Sequence, residues 1–422
     1  MPKYITSLVI SFFLFLGSLY SQEQAEFERL ALEKGITQSV IYSIVQDKTG
    51  NIWMATEDGV VKYNSNYAIV YNKYKGLPKG IGNRINKLFI SKDGTIYLGV
   101  DNGVCIYNQI LDKFIKLGGQ SSSQPSLVKS FSEDVNGNIW VGAYNGLWSY
   151  DRTNSKFDQI KNKLSTSQLR IQSLFSGPKN KLIIGTETGL VVYDYKKNSF
   201  FAVPHEKKNL RILSICRNKS DYLLGTLSSG LLKVDNGFKE IKKIEFSKNY
   251  SKNNAIRSIL KDKSGDFYIG SDGDGIYHLN NDYQEINHFS HNVDNNGSIS
   301  SNGVYDVLID KEEILWVATY GGGINYLDKS KSVFKKIKHK LNVSNSLKNN
   351  FSRSIEIDKN GKIWFGTKNG VSIWEPKKNI WKHIPWKLGI VLALQSDGDF
   401  MWVGSYNRGV FKVNINSFKV NK

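Results

Sequence analysis

The chain is built from short apolar runs interrupted by polar turns, and within each run apolar and polar residues roughly alternate. In residues 41–71 the runs are "IYSIV", "NIWMA", "VVKY" and "YAIVY", separated by stretches such as "DKTGN". Apolar positions two apart fit strands with one or both faces packed; a helix would repeat every three to four residues. No convincing long amphipathic helix appears anywhere after the first twenty or so residues. The pattern also recurs at long range. "DKTGNIWMATEDGVVKY" at 47–63 returns as "DVNGNIWVGAYNGLWSY" at 134–150 and as "DKNGKIWFGTKNGVSIW" at 358–374.

Aligning on the residue two places after the aromatic of "IW" yields Ala55, Gly99, Gly142, Gly185, Gly225, Gly270, Ala318, Gly366 and Gly404, with neighbours 38 to 48 residues apart. Nine degenerate copies of about forty residues, each with four strand signals, predict an all-β chain and a β-propeller of four-stranded antiparallel blades. One such sheet has two apolar faces and buries neither alone, so blades stack around an axis. Trp53, Tyr97, Trp140, Tyr268, Trp316, Trp364 and Trp402 share one strand position, where large rings are expected to wedge between blades. Ile183 and Leu223 fill it in the other two copies. In the turn, Asp47 is expected to accept backbone N–H bonds and Gly50 to take a positive φ. "FERLALEKGI" near the N-terminus reads as an isolated outermost strand. Nine repeats close either as a seven-bladed ring over residues 22–340 followed by two further blades over 341–422, which is the preferred reading, or as one larger ring.

The first residues, "MPKYITSLVISFFLFLGSLYSQ", have the layout of a secretory signal peptide over 1–21, an uncleaved N-terminal anchor being the alternative. No later stretch reaches eighteen uninterrupted apolar residues, so the mature chain is expected to be exported, periplasmic or secreted. The two cysteines, Cys105 and Cys216, sit at non-equivalent repeat positions and make no disulfide framework. The net charge of +19 comes from lysines scattered through turns and strand ends, with no arginine-rich block. Export makes nucleic acid an improbable partner, and the charge is weak evidence for an acidic ligand.

"GITQSVIYSIVQDKTGNIWMATEDGVVKYN" resembles the first repeat of the two-component regulator propeller family, through Gly35, Asp47, Gly50, Ile52, Trp53, Thr56, Gly59, Val60 and Tyr63. The resemblance extends from about Phe27 to the C-terminus. It implies the periplasmic ligand-sensing region of a hybrid two-component sensor, in which two seven-bladed propellers precede an immunoglobulin-like domain, a membrane helix and a histidine kinase, and many members recognise polysaccharide breakdown products. This chain departs from that pattern, with nine repeats instead of about fourteen and nothing resembling a kinase after "FKVNINSFKVNK".

Loops carry function on a rigid scaffold, so the face formed by the blade-linking loops and the loops between second and third strands is the candidate site. At the entry of the innermost strands stand Tyr42, Asn86, Lys129, Gln172, Leu213, Arg257, Tyr305, Arg353 and Leu392; Tyr144, Tyr320 and Tyr406 lie in the second loops. Of these, Tyr42, Lys129, Arg257, Tyr305, Arg353, Tyr144, Tyr320 and Tyr406 are the expected ligand-binding residues. Arginine forks suit carboxylate or sulfate, and tyrosine offers a flat face plus a hydroxyl.

No nucleophile elbow, His-Glu-x-x-His or phosphate loop occurs, and "SDGDG" at 271–275 reads as a hairpin turn in preference to a calcium loop. No catalytic residue, metal or cofactor is assigned, and an enzyme is not expected. The expected function is a periplasmic ligand-binding sensor propeller that recognises an oligosaccharide, or another small extracellular ligand, for a two-component pathway, with a membrane sensor kinase encoded separately. A protein-interaction scaffold is the alternative and a propeller lyase the third reading. On this reading, Arg257→Ala or Arg353→Ala weakens glycan binding while leaving the melting temperature nearly unchanged, as titration calorimetry with thermal melts would show.

Overall fold

The alternation of the first repeat folds as its turns dictate. Ile41–Gln46, Ile52–Thr56, Gly59–Tyr63 and Ala68–Tyr71 pair antiparallel in sequence order. A computed structural model describes residues 26–30, 39–118, 123–161, 170–206, 209–248, 250–251, 254–328, 337–384 and 388–421; the leader assigned to 1–21 lies outside them. Nine four-stranded antiparallel sheets follow one another, and no helix occurs among the described residues. Numbered along the chain by their innermost strands, blades 1 to 9 begin with Ile41–Gln46, Ile85–Ile90, Val128–Glu133, Ile171–Ser176, Ile212–Asn218, Ala255–Lys261, Val304–Ile309, Ser352–Ile357 and Val391–Asp397.

The repeated Asp and Trp act together. Trp53 Nε1 donates to Asp47 Oδ2 at 2.8 Å, while Asp47 Oδ1 accepts the N–H groups of Thr49 and Asn51, each at 2.9 Å. The same indole–carboxylate bond joins Trp140 to Asp134, Trp316 to Asp310 and Trp364 to Asp358. One carboxylate thus shapes the turn and satisfies an indole N–H that would otherwise be buried unpaired. Thr56 Oγ1 donates to Gly59 O at 2.9 Å, which sets the next turn. Gly59 takes φ 117°, and a Cβ there would lie 2.1 Å from Tyr71 O. The glycine of the alignment column has a different cause. A Cβ on Gly225 would lie 2.2 Å from Ser214 Oγ of its own blade and 2.6 Å from Ile256 Cγ2 of the next, so the glycine admits a close approach of the neighbouring blade.

The chain divides into two compact units, Met1–Lys329 and Ser330–Lys422. In the first, the innermost strands of blades 1 to 7 contact one another in order, and that of blade 7 returns to blade 1, so seven blades close around an axis. Blade 7 supplies only Val304–Ile309, Leu315–Thr319 and Ile324–Leu327 itself; its fourth strand is Glu28–Arg29, with Glu28 opposite Tyr326 and Arg29 opposite Asn325. The seam is also clasped near the axis. Asp306 of blade 7 accepts from Ser43 Oγ (2.9 Å) and Ile44 N (3.2 Å) of blade 1, and pairs with Lys87 of blade 2 at 3.1 Å. Apolar faces fill the space between blades: Trp53, Tyr71 and Val60 of blade 1 meet Ile85, Leu98 and Phe114 of blade 2.

The second unit holds blades 8 and 9, joined by Trp364, Ile373 and Val371 packing on Val391, Met401 and Val403. Ile337 and Leu347 pack on Phe365 and Trp374 of blade 8. The N-terminal strand thus completes blade 7, and the residues from Ile337 pack with blade 8. Trp402 of blade 9, at the wedge position, is 37% exposed, against 0% for Trp53 and Trp364.

Asp47→Ala leaves the Trp53 indole without its acceptor and is expected to destabilise the protein by about 2–3 kcal/mol in denaturant melts. Burial opposes ionisation of Asp47, but the bonds from Trp53, Asn51 and Thr49 outweigh it and hold its pKa below the ordinary value. Its ionised form therefore stabilises the fold above the ordinary carboxylate pKa of about 4, and that contribution is lost as pH falls through the lowered value. The gap between wild type and variant should narrow below about pH 4; a gap independent of pH would contradict this assignment.

Candidate functional site

The loop between second and third strands is tied back to the entry of its own blade. The N–H of Glu187 donates to Arg170 O (3.2 Å), that of Leu227 to Arg211 O (3.0 Å) and that of Tyr320 to Gly303 O (2.7 Å). These bonds hold the entry residues and the second-loop residues side by side on one face, around the mouth of the first unit's ring. Every blade described also carries a register shift where its innermost strand begins, as between Ile41 and Ser43 or Val304 and Asp306. Such a bulge re-aims the residue it releases.

Four consecutive blades build one continuous arc. The Arg84 guanidinium of blade 2 lies over the Tyr42 ring of blade 1 at 4.7 Å. Tyr42 faces Tyr305 of blade 7 with ring centroids 5.9 Å apart. Tyr305 contacts Tyr320 at 5.3 Å and carries the Arg257 guanidinium of blade 6 at 4.1 Å. Arg257 is held from behind by Asp272, whose Oδ2 accepts Nε (2.7 Å) and Nη2 (2.5 Å). Burial pushes the Tyr42 and Tyr305 hydroxyls above the ordinary phenol value, although Arg84 and Arg257 pull the other way.

A second arc occupies blades 3 to 5. Arg170 lies over the Tyr144 ring at 4.4 Å, and Glu187 bridges Arg170 (3.1 Å) and Arg211 (3.0 Å). Lys129 of blade 3 is half-buried. Burial lowers the pKa of its ammonium, Arg84 lowers it further, Asp101 raises it and Arg257 lowers it.

Of the eight residues expected from the sequence, the ring brings together six: Tyr42, Lys129, Tyr144, Arg257, Tyr305 and Tyr320. Arg353 and Tyr406 belong to blades 8 and 9 of the second unit and are not members of this ring. Sequence reasoning missed Arg84, Arg170 and Arg211, which stand immediately before the first apolar residue of blades 2, 4 and 5. The signal was visible in "RINKL", "RIQSL" and "RILSI".

Other polar groups are engaged in structure. In "SDGDG", Asp272 pairs with Arg257, and Asp274 Oδ2 accepts Ser251 N at 3.0 Å. His288 Nε2 bonds Asp274 O at 2.5 Å and His291 Nδ1 bonds Ile299 O at 2.8 Å. One group of potential metal ligands, Asp262, Asp266 and His278, occurs among the described residues. There, Asp262 Oδ1 shapes its own turn, accepting Gly265 N and Asp266 N at 2.9 Å each, and the His278 ring stacks on Tyr268 at 4.4 Å. A cavity of about 460 Å³ lies between blades 2 and 3, away from the mouth. Its Arg152 is held by Asp93 (2.5 Å) and approached by Glu133 (3.9 Å), so it acts as a fastening between blades.

Residues 35–58 and 346–369 match the family described as two component regulator propeller, so the chain carries two-component regulator propeller repeats. No curated protein matches the sequence. Among solved structures, it is similar to the extracellular domain assigned to a hybrid two-component system of B. thetaiotaomicron, with TM-score 0.63 and 24% identity over 94% of this chain and 54% of that one. A second such domain from B. thetaiotaomicron gives 0.62 and 23% over 94% and 53%. The chain therefore spans little more than half of these domains. Virginiamycin B lyase from Staphylococcus aureus gives 0.58 and 14% over 72% of this chain and 99% of that one. These likenesses establish the propeller fold. No helix among the described residues is long and apolar enough to cross a membrane.

Because Arg84 and Arg257 both depress the Lys129 ammonium, Arg84→Gln should raise the Lys129 pKa. Competitive acylation followed by mass spectrometry reads this as slower labelling of Lys129 near pH 9, relative to exposed lysines; unchanged labelling would show that the two side chains do not meet.

Proposed function

We propose that the first unit is an extracellular ligand-binding sensor propeller, exported to the periplasm or cell exterior, and that it recognises an oligosaccharide on behalf of a two-component pathway. The single observation that carries this reading is the arc Arg84–Tyr42–Tyr305–Arg257, with Tyr320 against Tyr305. Sugars present C–H faces to flat rings and hydroxyl oxygens to guanidinium donors, and this arc offers both across four blades. The resemblance to extracellular domains of hybrid two-component systems adds support. The partner this reading requires is a membrane sensor kinase.

Titration calorimetry of the mature chain against a panel of plant, host and algal oligosaccharides tests the reading. A ligand should emerge whose affinity falls about tenfold or more in Arg257→Ala, the loss of one charged hydrogen-bonding group. Arg353→Ala, outside the ring, should leave affinity unchanged, and neither should move the melting point by more than about 2 °C, as expected of substitutions away from the core. Silence across the whole panel, or full affinity in Arg257→Ala, would reject the proposal.

A further inference from the structure

We infer that the ligand of this mouth carries a negative charge, a carboxylate or a sulfate ester, seated between Arg84, Lys129 and Arg257. The inference rests on the oligosaccharide reading above and narrows it to acidic sugars. It starts from which cations already have partners. Glu187 serves Arg170 and Arg211, and Asp272 Oδ2 takes both Nε and Nη2 of Arg257. Arg84 and Lys129 have no carboxylate within ion-pair distance among the described residues. The remaining acids nearby are Asp101, which is exposed and accepts Asn86 Nδ2 at 2.8 Å, and Glu57, exposed in the second loop of blade 1.

Lys129, half-buried at the entry of blade 3, and Arg84, stacked on Tyr42, are thus two cations without an ion-pair partner on the mouth that the Arg257–Asp272 pair also lines, and like charges repel more strongly as water is excluded. An anion placed among the three converts that repulsion into attraction. A neutral sugar would leave it in place. Arg84 already lies over Tyr42, and Arg257 over Tyr305 with Asp272 holding its Nε and Nη2, so both guanidinium groups are positioned and their remaining N–H groups need little further ordering to bind an oxyanion.

The test compares three probes of equal length on the mature chain by calorimetry: an oligogalacturonate, a sulfated oligosaccharide and a neutral xylo-oligosaccharide. At least one acidic probe should bind ten times or more tighter than the neutral one, with affinity falling as salt rises. Arg84→Gln and Lys129→Met should each weaken the acidic probe about tenfold without lowering the melting point, and Lys129→Arg should restore much of the loss. The preferred probe of the two distinguishes carboxylate from sulfate recognition. Equal or tighter binding of the neutral probe, or full acidic affinity in both variants, overturns the charge inference and leaves the oligosaccharide reading standing. Binding of none of the three overturns the charge inference, and only silence across the wider panel overturns the oligosaccharide reading as well.

Discussion

Burial of sheet faces between neighbouring blades is the interaction on which everything else depends. A four-stranded sheet of about forty residues has two apolar faces and covers neither by itself. Trp53 and Trp364 pack against the blade that follows them and are fully buried. Truncating such a ring inside the core would cost about 3–5 kcal/mol. The same need explains why a two-residue strand, Glu28–Arg29, is recruited across almost three hundred positions to finish blade 7, and why the Asp306–Ser43–Lys87 clasp lies at that junction.

The candidate site inherits its geometry from this closure. The arc from Arg84 through Tyr42 and Tyr305 to Arg257 runs over blades 2, 1, 7 and 6, and so crosses the seam where the chain's beginning meets blade 7. Its guanidinium groups and phenol hydroxyls lie outside the repeated contacts that hold each blade together. The indole–carboxylate bonds, the threonine turns and the close-approach glycines do that work, which leaves the entry and loop positions open to whatever chemistry a ligand demands. A rigid scaffold with variable loop residues is the usual division of labour in binding proteins.

Most of the architecture was legible because its causes are local and repeated. Period-two alternation, the turn at "DKTGN" and the aromatic column disclosed strands, hairpins and blades. Two structural features were only half visible. Asp47 read as a turn residue and Trp53 as a wedge, but that one carboxylate serves both depends on a contact six residues apart that propensity does not encode. The glycine column served as an alignment mark, and its cause, close approach to the next blade, appears only once blades are stacked. Within the site, inward entry positions such as Tyr42 and Arg257 followed from repeat register. Arg84, Arg170 and Arg211 sit one residue outside the strands, where the register gives no orientation, and were missed. Arg353 and Tyr406 share the register but not the ring, a distinction set by how many blades close.

Ring closure is tested most directly by native-state hydrogen exchange on the intact chain. If seven blades share one interlocked core, the amides of Ile41–Gln46 and Val304–Ile309, about 260 residues apart, should be released together in a single cooperative opening, with comparable protection and the same response to denaturant. Blade-by-blade exchange, with these two strands opening at unrelated free energies, would show that the first and seventh blades do not support each other and would contradict the account.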